Sequence, residues 1–268
     1  MIFTSDTQIY KRMQKIDSNF TQLRVNLRKY GIEIAEDVFH RFHPATKNTG
    51  NEICVFCNST LKITKEHVLP KWVFEKNVES SLISSVNKQT QTYNKAVIPA
   101  CAICNNSILA PIEKHIYKIV LNLEKHNYDR EDLSNLIRWL EILDYKLQVF
   151  DCRRLYIKHG KGKYDSTWGI LPVGHLRHFV DLNPLKAYDF IRSSQRRITV
   201  KKKTVFNSLL VLDTLYAHFN FFTQPNKYIF ISFPMQKTAI FYFFRKEFET
   251  DSEAYEEALY IIEQVSKS

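Results

Sequence analysis

The stretch that decides the fold runs from residue 54 to residue 106. It reads Cys54-Val-Phe-Cys57, then Thr64-Lys-Glu-His-Val-Leu-Pro-Lys-Trp72, then Cys101-Ala-Ile-Cys104-Asn105-Asn106. Two C-x-x-C pairs with 43 residues between them supply four thiolates, the donor set of a tetrahedral Zn²⁺ site. Each pair is expected to form a tight knuckle whose backbone N–H groups face the sulfurs. Cys54, Cys57, Cys101 and Cys104 would fill all four positions, so this zinc is expected to be structural. The alternatives are four buried free thiols or a redox pair. A redox C-x-x-C opens a helix after a strand in a thioredoxin pattern, and it would leave the second pair unexplained. Cys152 stands alone and reads as a buried apolar residue.

The rest of the composition bounds the class. The chain has 268 residues, 44% hydrophobic and 25% charged, enough to bury a sizeable core. The longest apolar run, Ala239 to Phe244, falls far short of the roughly 18 residues of a membrane span. Polar Thr4 to Gln8 follows Met1-Ile2-Phe3 directly, unlike a signal peptide. A membrane protein, a secreted disulfide scaffold and a fibrous protein are therefore excluded as readings. Five cysteines without an export signal point to metal binding in a reducing compartment, the cytoplasm.

Charge is unevenly spread. The net charge is +10, and residues 151–203 alone carry +9, from 13 basic and 4 acidic side chains. A concentrated basic segment is the electrostatic footprint of a nucleic-acid binder; its bland alternative is a solvated lysine-rich surface. Arg192, Arg196, Arg197, Lys201, Lys202 and Lys203 are the candidate contacts to a nucleic-acid backbone.

Hydrophobic spacing lays out the elements. Ile9, Met13, Ile16, Phe20, Leu23, Leu27 and Tyr30 recur at steps of four and three, which predicts a helix over 6–30 ended by Gly31. Its heptad spacing suits either packing on its own chain or a contact to a second copy or a partner subunit. A second short helix is expected over 33–42. Ser80 to Asn94 reads as a polar surface loop. Helices are expected over 107–126, 131–150, 184–198 and 251–265. Strands are expected over 154–158, 167–173, Val205 to Asp213, Tyr228 to Phe233 and Thr238 to Phe244. The aromatics of Tyr228 to Phe244, at strand spacing, read as core more than as a base-stacking platform. The division that follows is a helical N-terminal segment over 1–50, a zinc domain over 51–128, and a mixed helix–strand region over 129–268. No glycine-rich phosphate loop is present, and six glycines leave little room for one.

The arrangement over residues 52–113 resembles the HNH endonuclease superfamily, and within it the phage junction-resolving endonucleases. There an acidic residue and a His end the first strand, followed by a hydrophobic-x-Pro context. The second C-x-x-C opens a helix, and Asn or His follows its last Cys. Glu66-His67-Val68-Leu69-Pro70 and Cys104-Asn105 stand in those places. The resemblance implies an α+β fold with a treble-clef-like, zinc-knuckle ββα-metal domain, beside a helical N-terminal segment and a mixed α/β C-terminal region. It implies hydrolysis of phosphodiester bonds, with DNA as substrate, and a role in bacterial anti-phage defence or a mobile element. It implies His67 as general base, and Glu66 and Asn105 as ligands of a catalytic Mg²⁺ or Mn²⁺. Two departures stand out. Most members carry Asp where Glu66 lies. The middle Asn that orients the base usually sits about five residues before the second pair, where this chain has Ala96; Asn94 is the substitute.

These residue types suit that chemistry. Phosphodiester hydrolysis needs an activated water, a Lewis acid and charge compensation at phosphorus. A neutral imidazole takes a proton from water near pH 7, and carboxylate and amide oxygens suit a hard divalent ion. Adjacent strand residues face opposite ways, so Glu66 and His67 share one site only if the strand ends or twists there. Glu113 lies two helical turns after Asn105 and is either a further ligand or a surface acid. Lys65, Lys71 and Trp72 flank the site. The rival reading is a catalytically silent zinc module that binds nucleic acid or protein as a subunit of a larger complex.

Overall fold

The computed structural model describes residues 4–42, 51–74, 81–83, 90–159, 183–200, 206–215 and 218–267. It is a mixed α+β protein. The chain forms two compact units, each assembled from two stretches: Met1–His115 with Tyr145–Lys201, and Ile116–Asp144 with Lys202–Ser268. The sequence reading divides the chain into consecutive parts, 1–50, 51–128 and 129–268, whereas these two units are each interleaved along the chain. Among the described residues no helix is long and apolar enough to cross a membrane.

The first unit opens with one helix, α1 (Thr4–Phe42). The two helices expected here are one, and Gly31 does not end it. The buried stripe Ile16, Phe20, Leu23, Leu27 runs on through Gly31 to Ile34 and Val38. Gly31 faces a second helix of the unit. A Cβ there would lie 3.1 Å from Arg192 Nη1 and 3.2 Å from Gln195 Oε1. The glycine thus marks a close helix–helix approach rather than a C-cap, and the apolar stripe outweighs its low helix propensity of about 1 kcal/mol.

The zinc-type knuckles frame a small sheet. Strand β1 (Ile63–His67) pairs antiparallel with β4 (Val97–Cys101), with Glu66 opposite Ile98 and His67 opposite Val97. The backbone bonds Val68 N to Ala96 O (2.9 Å) and Ala102 N to Lys62 O (3.0 Å) extend the pairing at both ends. A single turn of helix, α2 (Lys71–Phe74), follows β1. The expected loop over 80–94 contains a short hairpin, β2 (Ser81–Ile83) with β3 (Thr90–Thr92), and a 3₁₀ turn at Tyr93–Lys95. After β4 the chain enters wide π turns over Ile103–Leu109 and then α3 (Ala110–Leu123). Pro111 supplies a reason for the wide turns: it lacks the N–H that would bond Ser107 and crowds that carbonyl. Asn19 of α1 donates to the Ile108 carbonyl at 3.3 Å and ties this segment down.

Helix α4 (Arg130–His159) contributes to both units. It overrides the strand expected over 154–158: Tyr156 and Ile157 favour strands locally, but a helix already running propagates cheaply. Helix α5 (Asn183–Thr199) completes the first unit. The strand expected over 167–173 lies outside the described residues.

The second unit is built on an antiparallel sheet of order β5-β8-β7-β6. Its strands are β5 (Leu209–Asp213), β6 (Phe221–Gln224), β7 (Tyr228–Phe233) and β8 (Thr238–Phe243). One face carries Leu210, Phe230, Phe241 and Phe243 against Ala254 and Ala258 of α6 (Asp251–Ser266). The two alanines, one turn apart, let the helix lie close to the aromatic face. Phe222 and Phe230 stack at 4.6 Å, a geometry worth about 1 kcal/mol beyond the area it buries. The aromatic run is core. Thr250 caps α6, its side chain accepting from Glu253 N at 3.3 Å.

Candidate functional site

Four cysteines meet where the knuckles converge. The Sγ atoms of Cys54, Cys57, Cys101 and Cys104 all lie within 4.8 Å of one another, and the cluster can hold a metal ion such as zinc. Cys57 Sγ and Cys101 Sγ are 3.6 Å apart. In the first knuckle Phe56 N–H points at Cys54 Sγ (3.5 Å), and Asn58 N–H bonds the Cys54 carbonyl (2.9 Å). Asn58 closes that turn with φ of 63°, a left-handed conformation that Asn adopts more readily than most residues. In the second knuckle Cys104 N–H points at Cys101 Sγ (3.4 Å). These donors stabilise thiolates. Cys101 and Cys104 do sit at a strand-to-helix junction, yet their sulfurs face the other pair, as a four-ligand site requires.

The thiols strain against one another electrostatically. The Cys104 thiol, bonding to Cys54, pulls Cys54 down to about 5. The same bond pushes Cys104 well above the ordinary thiol value. Burial raises Cys57 to about 12. Four clustered sulfurs cannot all ionise without a cation to share them, which is the condition zinc satisfies. Tyr145 of α4 braces the frame: its hydroxyl donates to the Val55 carbonyl at 2.5 Å, and its ring meets Phe56 edge-on at 5.8 Å.

The strand end beside this frame carries the candidate base. His67 is half-buried, and the side chain of Asn94 hydrogen-bonds it from the 3₁₀ turn. The bond raises the proton affinity of His67, as an amide oxygen accepting from a ring N–H does. The imidazole lies 6.3 Å from the ring of Phe74, which stacks on Tyr93 at 5.6 Å. Burial lowers the His67 pKa from 6.5, and the nearby Lys71 charge lowers it further. The ring is therefore neutral at pH 7.

Glu66, next along the strand, has a different setting. It is 6% exposed, and its carboxylate is ion-paired with Lys146 of α4. Lys146 also contacts Glu113 Oε1 of α3 at 2.9 Å and the His67 carbonyl at 3.2 Å. Adjacent strand residues face opposite ways, and their settings differ: Glu66 is buried against Lys146, while His67 is half-buried beside Asn94 and still feels the Glu66 charge. Asn105 docks on β1: its Nδ2 donates to Thr64 Oγ1 (3.0 Å) and lies 3.5 Å from the Lys65 carbonyl. Thr64 Oγ1 in turn donates to the Ala100 carbonyl at 2.8 Å. The structure thus brings His67 to Asn94 and Glu66 to Glu113 through Lys146, and sets Asn105 against Thr64.

No protein-family model, no curated protein and no solved structure matches this chain.

The basic candidates divide. Arg196 is exposed on α5; Arg192 is half-buried and bonds Gln195 at 2.6 Å. Arg197 is only 4% exposed, so its charge is turned into the protein. Lys201, Lys202 and Lys203 lie outside the described residues. Sequence reasoning missed Lys146. Its signal was present: it sits three residues after Leu143, on the predicted apolar stripe of α4, where a lysine has no place unless paired.

Proposed function

We propose that this chain is an HNH-type endonuclease. The observation that supports it best is the hydrogen bond that the Asn94 side chain accepts from the His67 ring at the end of β1, beside a frame of four clustered cysteines. Asn94 fixes the tautomer and rotation of the imidazole, leaving the other ring nitrogen to accept a proton from water. Neutral His67 is ready for that role near pH 7. Lys71, whose charge is felt at His67, offers compensation beside a scissile phosphate. The four cysteines would hold zinc, which supplies rigidity to both knuckles and takes no part in hydrolysis. Arg192 and Arg196 of the basic segment would contact the nucleic-acid backbone and supply affinity without sequence code. DNA is the proposed substrate, and defence or a mobile element the proposed setting; both rest on the resemblance alone.

The Mg²⁺ or Mn²⁺ that the resemblance implies is tested by its own ligand set. The Asn105 amide suits a hard cation. Glu66 does not fit: its carboxylate is buried and already neutralised by an ammonium. This second fact favours the rival, a silent zinc module in which β1 is simply a well-bonded strand end.

Supercoiled plasmid separates the two. The nuclease reading expects nicking by zinc-loaded protein and its loss in His67→Ala, with zinc content unchanged. Nicking by neither protein, on plasmid, RNA and branched DNA alike, supports the silent module.

A further inference from the structure

Lys146 is 1% exposed, the most deeply buried cation among the described residues. An ammonium has three N–H donors, and this one has three acceptors: the carboxylates of Glu66 and Glu113 and the carbonyl of His67. They come from two elements, β1 and α3, and α4 delivers the cation to them. Burying an ammonium is tolerated when its donors are satisfied, and all three are satisfied here. A divalent ion bound through Glu66 would need the same carboxylate and would sit beside a fixed positive charge.

We infer that Lys146 is the resident cation of the strand-end site, filling the place at Glu66 that a divalent ion would take and anchoring the backbone of His67. Glu66 and Glu113 are its counter-ions. Any divalent ion the protein uses is held elsewhere. The inference holds for a nuclease and for a silent module alike, and its test needs no turnover.

The test is Mn²⁺ titration of the zinc-loaded full chain, reading free Mn²⁺ by electron paramagnetic resonance. Glu66→Gln is expected to leave Mn²⁺ binding within about twofold of wild type, including the case where neither binds. Lys146→Met exposes two carboxylates to each other and is expected to gain an Mn²⁺ site at least about tenfold tighter than any in wild type, abolished by adding Glu66→Gln. A wild-type Mn²⁺ site lost in Glu66→Gln overturns the inference. So does a folded, zinc-loaded Lys146→Met that gains no site. Where either single variant fails to fold, the double Glu66→Gln/Lys146→Met keeps the net charge of the cluster. Its Mn²⁺ binding should match wild type, and a loss there overturns the inference equally.

Discussion

The side chain of Asn94 hydrogen-bonds the imidazole of His67 across the end of the β1–β4 pair. The ring is half-buried and lies 6.3 Å from that of Phe74, which stacks on Tyr93. Asn94→Ala should lower kcat/KM for nucleic-acid cleavage by about tenfold or more, because a misaligned base loses much of its contribution. Zinc content and thermal unfolding should stay near wild type, since Asn94 is exposed. Unchanged kcat/KM would remove Asn94 from the site.

Burial and Lys71 both lower the His67 pKa from 6.5. A lowered value keeps the base neutral to lower pH, so the acid limb of kcat/KM should have its midpoint below 6.5. In Lys71→Gln the midpoint should move back up toward 6.5, because one depressing charge is gone. Linkage has the same sign. The unfolded chain takes up this proton first as pH falls, so stability drops as pH falls from about 6.5 toward the folded value, and the term is constant above. A pH–rate profile of both proteins checks the claim; a limb above 6.5 in wild type would contradict it.

Zinc removal should unfold the first unit. Structural zinc sites contribute roughly 10–16 kcal/mol of apparent binding energy, more than most domains have to spare. Cys104→Ser should therefore lose bound zinc, measured by elemental mass spectrometry, and the cooperative unfolding of residues around the knuckles. Wild-type stability without metal would show that four packed thiols suffice.

Lys146→Met should destabilise the protein by about 3–5 kcal/mol, the usual cost of leaving a buried ion partner unpaired. The double variant Glu66→Gln/Lys146→Met should recover a large part of that loss. Urea unfolding of the set measures both. Recovery marks a charge-pairing role; equal loss in single and double variants would mean that Lys146 acts by shape.

Periodicity made most of the helices and the second unit's main strands legible, because apolar residues recur at 3.6 or at 2 along them. It failed where tertiary packing overrode a local signal. Gly31 has the look of a helix stop, but its missing side chain admits Arg192 and Gln195 of α5. Residues 154–158 have strand propensity but continue α4. The cysteine cluster was fully legible from spacing. The Glu66–Lys146–Glu113 cluster was not, because residues 80 apart declare no partnership until a fold joins them. The same holds for the interleaved units, whose second stretches return to the first only through packing.

Whether His67 is the base of a nuclease is decided by nicking of supercoiled plasmid by zinc-loaded protein, wild type against His67→Ala, with and without Mg²⁺ or Mn²⁺. Wild type should nick the plasmid and the variant should not, at unchanged zinc content and fold. Equal nicking by both proteins would contradict it, because His67 would then not be the base.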